Sequence, residues 1–322
     1  MIQNLLPMLI GSGLDLLIGD PHGFPHPVIW IGSLISFLER KLRRVFPKSP
    51  AGEKTAGAFL WLIVTTAAAG LSLLVIILAK RIHPWLGIAV ESVMCWQILA
   101  MRSLRDESMK VWQALQKNDI PGARQAVSMI VGRDTGRLDD LGITRAAVET
   151  VAENTSDGVT APLLFLAIGG APAGFFYKAV NTMDSMLGYT DPPYTDLGMV
   201  PARADDAVNF LPSRLTALLM LAAGGLQGLD IRNGWKIFRR DRYKHASPNS
   251  AQTEAACAGL LRVRLAGDAW YHGVLHKKQY IGDPLREIEY DDIPKTCRLM
   301  YGTSFFMLVL CCLIRILIVC TA

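Results

Sequence analysis

A carboxylate-rich segment, 148–158, runs directly into a stretch of the sequence with almost no polar residues. On a helix its side chains Glu149, Glu153, Ser156 and Asp157 would fall at positions i, i+4, i+7 and i+8 and share one face. Carboxylates this close repel one another unless a cation lies between them, and Mg²⁺ held with nucleotide phosphates suits such a group. A solvated helix face is the alternative, but it gives no reason for carboxylates to border an apolar run.

A second polar group follows that apolar stretch, in 177–189 (YKAVNTMDSMLGY). One helix face would carry Tyr177, Asn181, Asp184 and Gly188, with Lys178 and Ser185 beside it. Charges at membrane depth cost roughly 2.5–3.5 kcal/mol each on insertion scales, so residues of this kind usually mark a site. A polar helix end at the membrane interface is the alternative.

A third group lies in 203–214, where Asp205 and Asp206 precede Asn209 by one helical turn.

The fourth group, in 239–261, has the composition of an anion site. Ser247 followed by Pro248 predicts a helix that begins there, with proline in its first turn. Just before this helix start lie Arg242, Lys244 and His245. A helix N-terminus flanked by cations attracts phosphate groups.

The elements that must position these groups are apolar helices. Of the 322 residues, 51% are hydrophobic and 19% are charged. Two uncharged or nearly uncharged runs, 57–79 and 300–320, are long enough to cross a bilayer, and weaker candidates are 4–19, 84–101, 161–180 and 208–228. The sequence therefore predicts an all-α polytopic integral membrane protein with about 4–6 membrane-embedded helices, some of them broken or re-entrant.

Two polar stretches, 105–160 and 229–299, must lie outside the hydrocarbon. Amphipathic patterns predict helices over 104–116 and 122–131, and we interpret both stretches as cytoplasmic helical segments of one membrane domain, 1–322. The basic loop 39–54 should also stay cytoplasmic, which partly explains the net charge of +5. No sequence feature indicates a nucleic-acid partner.

This topology creates a conflict that the sequence itself resolves. If 161–180 crossed the membrane, the 177–189 group would emerge on the face opposite to 148–158. However, GGAPAG (169–174) interrupts the segment after about eight apolar residues, and a spanning helix needs roughly 20. We therefore predict a re-entrant hairpin that returns 177–189 to the cytoplasmic side, with Thr190 as a position to test it. Whether 208–228 crosses stays open.

Six segments together resemble the adenosylcobinamide-phosphate synthase family of cobalamin biosynthesis, called CbiB or CobD: GDPHGFPHPVIWIG, VGRDTGRLDD, VETVAENTSDGVTAPL, YKAVNTMDSMLGY, ARADDAVNFLPSRL and RDRYKHASPNS. The resemblance covers nearly the whole chain. It implies that ATP drives amide formation between (R)-1-amino-2-propanol O-2-phosphate and a propionate carboxylate of adenosylcobyric acid. Phosphorylation of the carboxylate would supply a leaving group, which suggests an acyl phosphate, and whether this is a discrete intermediate stays open. The resemblance also implies a multi-pass protein of the bacterial cytoplasmic (inner) membrane whose site faces the cytoplasm.

The partners implied are ATP with Mg²⁺, both substrates and the lipid bilayer. The corrinoid is then a substrate and not a cofactor. The resemblance leaves open a homo-oligomer and contacts with other membrane-bound enzymes of the pathway.

Residue chemistry suggests a role for each group in such a reaction. The carboxylates expected to hold Mg²⁺–ATP are Glu153, Asp157 and Asp184, with Asp206 next. Lys178 would contact the transferred phosphoryl group, and Asn154 and Asn181 would orient it. The residues expected to bind the phosphate of a substrate or of the nucleotide are Arg133, Arg203, Arg242, Lys244, His245, Ser247 and Asn249. The base stays open between Glu149 and Asp205.

Two other classes of protein would also place polar residues among apolar helices. A membrane transporter would spread them across the bilayer depth in paired halves, whereas here they gather at segment ends. A non-catalytic membrane sensor of the same family would have little need for the dense AENTSDG and SPNS segments.

Overall fold

The computed structural model describes residues 5–21, 23, 25–189, 192–271 and 273–321. Within these residues, five helical stretches are long and apolar enough to cross a membrane: Pro50–Ile82, Pro84–Gln116, Asp140–Leu187, Met199–Leu226 and Asp292–Thr321. The helix Leu6–Ile18 is apolar but shorter. The prediction of an all-α polytopic membrane protein is confirmed.

The chain divides into two compact units. The first comprises Met1–Leu99, Ala161–Asn209 and Leu310–Ala322, and the second comprises Ala100–Thr160 and Phe210–Val309. Both polar stretches of the sequence, 105–160 and 229–299, fall within the second unit.

The first unit is built from apolar helices: α1 (Leu6–Ile18), α2 (Pro27–Val45), α3 (Pro50–Ile82), α4 (Pro84–Ile98), α8 (Ala161–Leu187) and the parts of α9 (Met199–Leu226) and α12 (Asp292–Thr321) that lie in its ranges. Three of these helices start in the same way, because a side chain caps the first turn and proline follows it. His26, Ser49 and His83 accept hydrogen bonds from the backbone N–H groups of Val28, Gly52 and Trp85. His26 therefore has a structural role at the start of α2.

Helix α8 is broken in the middle and the chain doubles back. Gly169 and Gly170 have non-helical backbone angles, and Gly170 has φ 66°, a conformation that glycine adopts at no steric cost. The rings of Phe165 and Tyr177 lie 5.0 Å apart, centroid to centroid. Twelve residues of unbroken helix would separate them by about 18 Å. The predicted hairpin is therefore present, with arms 161–168 and 171–187.

Charged side chains surround the tip of this hairpin. Arg315 of α12 donates hydrogen bonds of 3.3 Å to the carbonyl oxygens of Ala167 and Ile168, which end the first arm. A Cβ atom added to Gly170 would lie 2.6 Å from Oε1 of Glu91, which itself pairs with Lys80 at 3.3 Å. The tip thus lies beside Glu91, whose ion-pair partner is close to the C-terminal end of α3.

The chain that leaves the second arm lies at the opposite end of α3. Nζ of Lys54 is 3.4 Å from Oδ1 of Asp196, and Arg43 donates to the carbonyl of Pro193 at 2.9 Å. About 39 Å of helix separates Lys54 from Lys80. The hairpin therefore returns the chain to the end of α3 that carries the basic loop, as predicted. Thr190 lies outside the described residues.

Cysteine labelling at Thr195 tests the orientation of this end of the first unit. Thr195 is exposed and lies between Pro193 and Asp196. In a background without the native cysteines, we expect Thr195→Cys to react with an impermeant maleimide only after cells are permeabilised, because the basic loop beside it should be cytoplasmic. Trp85→Cys, at a side chain 59% exposed at the other end of α3, is the matched control and should react on intact cells. Equal labelling of both positions on intact cells would contradict the hairpin topology.

The second unit is helical with a small strand region. It contains α5 (Met101–Gln116), α6 (Ile120–Ser128), α7 (Asp140–Asn154), a π-helix (Thr155–Thr160), α10 (Ile231–Asp241), α11 (Ser250–Leu261) and the parts of α9 and α12 in its ranges. Every residue of α11 is buried, and α7 and α10 pack against it. The predicted helices 104–116 and 122–131 are present, although α6 ends at Ser128.

The strand region was not predicted. The strands are β1 (Leu265–Ala266), β2 (Ala269–Tyr271), β3 (Val274–His276) and β4 (Tyr280–Ile281), and β1 pairs with β4 and β2 with β3, both antiparallel. Periodicity cannot reveal strands of two or three residues, since alternation needs about four to be recognised. The segment 229–299 is therefore not entirely helical.

Candidate functional site

In the first unit, four polar side chains form a connected network that we call the amide–carboxylate cluster: Tyr177, Asn181, Asp205 and Asn209. The hydroxyl of Tyr177 donates to Oδ1 of Asn209 at 2.8 Å, and Nδ2 of Asn209 donates to Oδ2 of Asp205 at 3.0 Å. Nδ2 of Asn181 donates to Oδ1 of Asp205 at 3.4 Å. Because both carboxylate oxygens of Asp205 already accept hydrogen bonds, its position suits orientation of Asn181 better than proton transfer.

Lys178 lines a cavity of about 390 Å³ in the same unit. Other walls come from the segment that begins at Asp20 and from α4: Asp20, Pro21, Gly23, His26, Val28, Ile29, Trp96 and Gln97. Trp96 Nε1 and Gln97 Nε2 fix this segment by donating to the carbonyls of Gly19 and Pro25 at 2.9 and 3.1 Å. The structure thus brings Asp20, Pro21, Gly23 and His26 to Lys178, and no spacing in the sequence predicts this juxtaposition.

The remaining predicted residues of the first unit lie on α8 and α9. Asp184 and Asp206 are half-buried and Arg203 is exposed. A Cβ atom added to Gly188 would lie 2.1 Å from Oδ1 of Asp184, so the carboxylate occupies the space that only glycine leaves free.

In the second unit, α7 and α11 bring three carboxyl groups together, which we call the glutamate cluster: Glu149, Glu153 and Glu254. Glu149 accepts a very short hydrogen bond from Arg133 and one of 2.6 Å from the backbone N–H of Ala266. Glu153 accepts from the hydroxyl of Ser250 at 2.8 Å. Glu254 is 5% exposed, and its Oε2 has no hydrogen-bond partner among the residues that the structure describes.

The surroundings of Glu254 disfavour its charged form. Burial raises the pKa of Glu254 well above its ordinary value, and the negative charges of Glu153 and Glu149 raise it further. Lys278 and Arg133 oppose this effect more weakly. These surroundings therefore favour the protonated, neutral form of Glu254. Glu254 was not predicted, because SAQTEAACAGLL has the composition of a buried helix with one charge.

A π-helix interrupts the α-helical spacing between the glutamates of α7 and Asp157. Helix α7 ends at Asn154, and Thr155–Thr160 continues as a π-helix, whose i→i+5 bonding breaks the α-helical spacing. The α-helical spacing on which Ser156 and Asp157 were predicted to share a face with the two glutamates therefore does not continue past Asn154. Asn154 lies on another face, where it lines a cavity of about 240 Å³ with Glu107, Thr150 and Gly158.

The predicted helix start, with Ser247 as the cap and Pro248 as the first helical residue, lies two residues too early. Helix α11 begins at Ser250, with Asn249 as its N-cap residue. Before it, side chains bond to the backbone of a turn: Nδ1 of His245 accepts from the N–H of Ser247 at 3.1 Å, and Oγ of Ser247 accepts from the N–H of Asn249 at 3.3 Å. Such local bonds compete with the first helical turn, which explains the later start.

Arg214 contacts this turn and was not predicted. Oδ1 of Asn249 accepts from Arg214 at 3.1 Å and from the hydroxyl of Ser213 at 3.2 Å. The guanidinium group of Arg242 lies 4.7 Å from the ring centroid of Tyr243, and its buried Nε has no hydrogen-bond partner in the described part of the chain. The turn therefore gathers two guanidinium groups, which is compatible with the predicted anion site.

Lys244 has a structural partner. Its Nζ lies 2.8 Å from Oδ1 of the buried Asp241, which also accepts from Arg240 and from the N–H of Gly282. Burial raises the pKa of Asp241, but the hydrogen bonds from Arg240, Lys244 and Gly282 outweigh it and hold the pKa at about 2. That Lys244 also binds phosphate stays a prediction.

We expect Asp241→Asn to lower the melting temperature at pH 7. The depressed pKa means that the folded state favours the carboxylate, a contribution on the order of 2 kcal/mol that is present above pH 4 and lost as the pH falls toward 2. The difference in melting temperature between wild type and variant should therefore shrink between pH 5 and pH 3. Glu287→Gln, at an exposed side chain, serves as the control and should change little at either pH. A difference independent of pH would contradict the role of the charge.

Similarity to known proteins extends over nearly the whole chain. The family model described as CobD/Cbib protein matches residues 8–300. The chain belongs to the CobD/Cbib family. No solved structure shows significant similarity to it.

Curated relatives match the chain almost end to end. The cobalamin biosynthesis protein CobD of Clostridium perfringens is 45% identical over 311 residues, covering 97% of this chain and 98% of the relative. The cobalamin biosynthesis protein CbiB of Salmonella typhimurium is 48% identical over 311 residues, or 96% of each chain. CobD of Pelobacter propionicus is 48% identical over 297 residues, covering 92% of this chain and 91% of the relative.

For this member of the CobD/Cbib family, the predicted metal ligands divide between the units. Glu153 and Asp157 belong to the second unit, and Asp184 and Asp206 to the first. Across the described ranges, no three His, Cys, Asp or Glu side chains are grouped so as to hold a metal ion. Mg²⁺ bound with nucleotide phosphates uses only one or two carboxylates, so these residues fit that mode and the metal assignment stays a prediction.

Proposed function

We propose that this chain acts in cobalamin biosynthesis as an ATP-dependent amide synthase. It would join the amino group of (R)-1-amino-2-propanol O-2-phosphate to a propionate carboxylate of adenosylcobyric acid and so give adenosylcobinamide phosphate. Membership of the CobD/Cbib family supports the pathway, because relatives matched along more than nine-tenths of the chain are named cobalamin biosynthesis proteins. The reaction itself is supported by Lys178 and the polar groups beside its cavity.

Amide formation from a carboxylate needs activation, since the carboxylate has no leaving group. A carboxylate oxygen attacks the γ-phosphorus of ATP, the bond from that phosphorus to the ADP oxygen breaks, and an acyl phosphate results. The amine, after loss of a proton, attacks the acyl carbon and expels inorganic phosphate. Such a site needs a cation for the transferred phosphoryl group, carboxylates for Mg²⁺, an anion pocket and a proton acceptor.

The observation that carries the proposal is Lys178 at its cavity in the first unit. A half-buried ammonium group lines about 390 Å³ of space, next to a network that fixes the neighbouring Tyr177 and Asn181. This volume lies within the ordinary range of small-ligand pockets. Lys178 would stabilise charge on the transferred phosphoryl group, and Asn181, oriented by Asp205, would donate a hydrogen bond to it.

Carboxylates of the chain would hold Mg²⁺, and the turn before α11 would hold a phosphate. The ion would neutralise phosphate charge when bound with ATP. Asp157, Asp184 and Asp206 are half-buried and retain access to solvent, as ligands of a nucleotide-bound ion require. Arg242, with its buried Nε unsatisfied by the described residues, would contact a substrate phosphate.

Purified protein should convert cobyric acid, aminopropanol phosphate and Mg²⁺–ATP into the amide, with one ADP and one phosphate for each amide formed. If the carboxylate is labelled with ¹⁸O, one labelled oxygen should appear in the released phosphate, since the bridging oxygen of an acyl phosphate comes from the carboxylate. Label in AMP would indicate an acyl adenylate instead. Transport of a corrinoid into vesicles without formation of any amide would contradict the synthase.

A further inference from the structure

The cavity of about 390 Å³ beside Lys178 has charged groups of both signs in its wall. Asp20 lines it together with Lys178, and Val28, Ile29 and Trp96 supply apolar surface. Asp20 is the one Asp or Glu side chain among the described residues of that wall. A ligand held in this cavity therefore meets a carboxylate and an ammonium group within one small space.

Backbone contacts on both sides of Asp20 fix its place in the wall. The preceding residue, Gly19, ends α1 with φ 64°, and its carbonyl accepts a hydrogen bond of 2.9 Å from the indole N–H of Trp96. Gln97, the next residue of α4, donates to the carbonyl of Pro25 at 3.1 Å. The segment that carries Asp20 is therefore attached to α4 at both ends, and a side chain that acts on a substrate needs such support.

The imidazole of His26 also faces Asp20 from the wall of this cavity. Its Nδ1 accepts a hydrogen bond of 3.3 Å from the backbone N–H of Val28, so the neutral ring carries its proton on Nε2. Nε2 is buried and lies 3.5 Å from Oδ1 of Asp20. The Asp20 side chain keeps 31% of its area exposed. His26 thus presents an N–H to one side of the carboxylate, and part of its surface stays open to a ligand.

The reaction proposed above requires the amine to enter the same cavity. In an acyl phosphate, the carbon atom that the amine attacks also carries the transferred phosphoryl group. The amine nitrogen must come within about 3–3.5 Å of that carbon before the bond forms, so the amine and the phosphoryl group are close neighbours. If Lys178 contacts the phosphoryl group, the amine is therefore bound in the Lys178 cavity as well.

We propose that Asp20 is the catalytic residue that binds the ammonium group of the amine and accepts its proton. This inference rests on the proposed function for the identity of the amine and of the reaction. One N–H bond of the ammonium group breaks and its proton passes to a carboxylate oxygen of Asp20. The freed electron pair forms the C–N bond, and the bond from the acyl carbon to the phosphate oxygen breaks. The second proton leaves the nitrogen with the departing phosphate, and Asp20 returns its proton to solvent.

The two carboxylates first considered as the base suit this role less well. Asp205 accepts hydrogen bonds at both of its oxygens from two asparagine side chains. Glu149 accepts from a guanidinium group and from a backbone N–H. Neither belongs to the described wall of the Lys178 cavity, whereas Asp20 does. A base must lie within hydrogen-bond reach of the proton that it takes, so its place in the cavity decides for Asp20.

Single-turnover kinetics of Asp20→Asn test the proposal, because the variant keeps the shape of the side chain and cannot take the proton. With saturating substrates it should release a burst of ADP as wild type does, and form amide about 10²–10⁴-fold more slowly. Lys178→Met should instead slow the burst itself, since phosphoryl transfer comes first. Glu39→Gln is the matched control, because Glu39 lies in the same unit and pairs with Arg43 at 3.1 Å, and it should behave as wild type in both measurements.

Hydroxylamine separates the loss of a proton acceptor from the loss of a folded site. Its nitrogen is largely unprotonated at neutral pH, so it attacks an acyl phosphate without a base. With hydroxylamine in place of the amine, Asp20→Asn should form the hydroxamate of the corrinoid as fast as wild type does. A hydroxamate rate reduced as much as the amide rate would overturn the proposal, because Asp20 would then act before the amine attacks. Amide formation by Asp20→Asn at the wild-type rate would also overturn it.

The role of Asp20 and the proposed function can fail separately. Calorimetry without ATP compares aminopropanol phosphate with isopropyl phosphate, which lacks the amine. Asp20→Asn should bind the first roughly tenfold more weakly than wild type does and the second equally well. That result, in a protein that forms no amide, would keep Asp20 as the residue that binds the ammonium group and remove the synthase. Equal affinity of both proteins for aminopropanol phosphate, with amide formed at equal rates, would remove the role of Asp20 and leave the synthase intact.

Discussion

Replacing Lys178 by methionine should reduce the turnover of amide synthesis by about 10²–10³-fold, the range found when one preorganised donor to a developing negative charge is removed. Methionine is of similar length and apolar, so the helix that carries it keeps its packing. The loss should fall mainly on kcat, because the ammonium group is expected to act on charge that develops during phosphoryl transfer.

The structure gives this prediction a matched control. Lys54 belongs to the same unit but pairs with Asp196 at 3.4 Å, far along α3 from the hairpin tip. Lys54→Met should retain the turnover of the wild type. Both variants should be compared with wild type for ADP release and for amide formation at saturating substrates. Wild-type turnover in Lys178→Met would show that the transferred phosphoryl group is bound elsewhere.

Asp157→Asn and Asp184→Asn should each reduce synthesis by roughly 10²-fold or more and raise the Mg²⁺ concentration needed for half-maximal activity. Each change keeps the shape of the side chain and removes the charge that would hold the ion. The measurement is turnover against free Mg²⁺ at fixed ATP, with insertion and folding checked for each variant. An unchanged Mg²⁺ requirement in both variants would remove these residues from the metal site.

Gly188→Ala tests Asp184 without changing its charge. The new Cβ atom would lie 2.1 Å from Oδ1 of Asp184, so the carboxylate must move. The φ angle of Gly188 is not positive, but the new Cβ atom would also lie 2.7 Å from the backbone oxygen of Asp184, so the end of α8 must shift slightly as well. The Mg²⁺ requirement should shift in the same direction as in Asp184→Asn, but by less. A normal requirement in Gly188→Ala together with a raised one in Asp184→Asn would mean that the charge matters but its position does not.

The apolar helices and the hairpin could be predicted from sequence because their signals are long or unambiguous. Runs such as 57–79 exceed the bilayer thickness, and GGAPAG combines two adjacent glycines with a proline, which together disfavour a continuous helix. The polar side chains of 177–209 were also expected to act together, and the bonds from Asn181 and Asn209 to Asp205 connect them.

Other parts of the site depend on tertiary contacts that no local pattern records. The π-helix at Thr155–Thr160 continues directly from α7, and the composition of 155–160 does not distinguish a π-helix from an α-helix. Glu254 and Arg214 matter because of residues distant in sequence, Glu153 and Asn249, that the fold brings to them. The start of α11 was misplaced because the local bonds of His245 and Ser247 suit a turn as well as a helix cap.

The hydrogen bonds from Arg315 to the end of the first hairpin arm also imply an order of events while the ribosome translates the chain. Arg315 follows Ile168 by 147 residues, so the ribosome adds it about 7–30 s later at ordinary bacterial rates. During that interval the carbonyl groups of Ala167 and Ile168 lack this donor, although the arm itself is complete. These two carbonyl groups must therefore bond to other donors, such as the insertion machinery or water, until the C-terminal helix arrives. Ribosomes stalled before residue 315 should leave a hairpin that proteases reach more easily than in the finished chain.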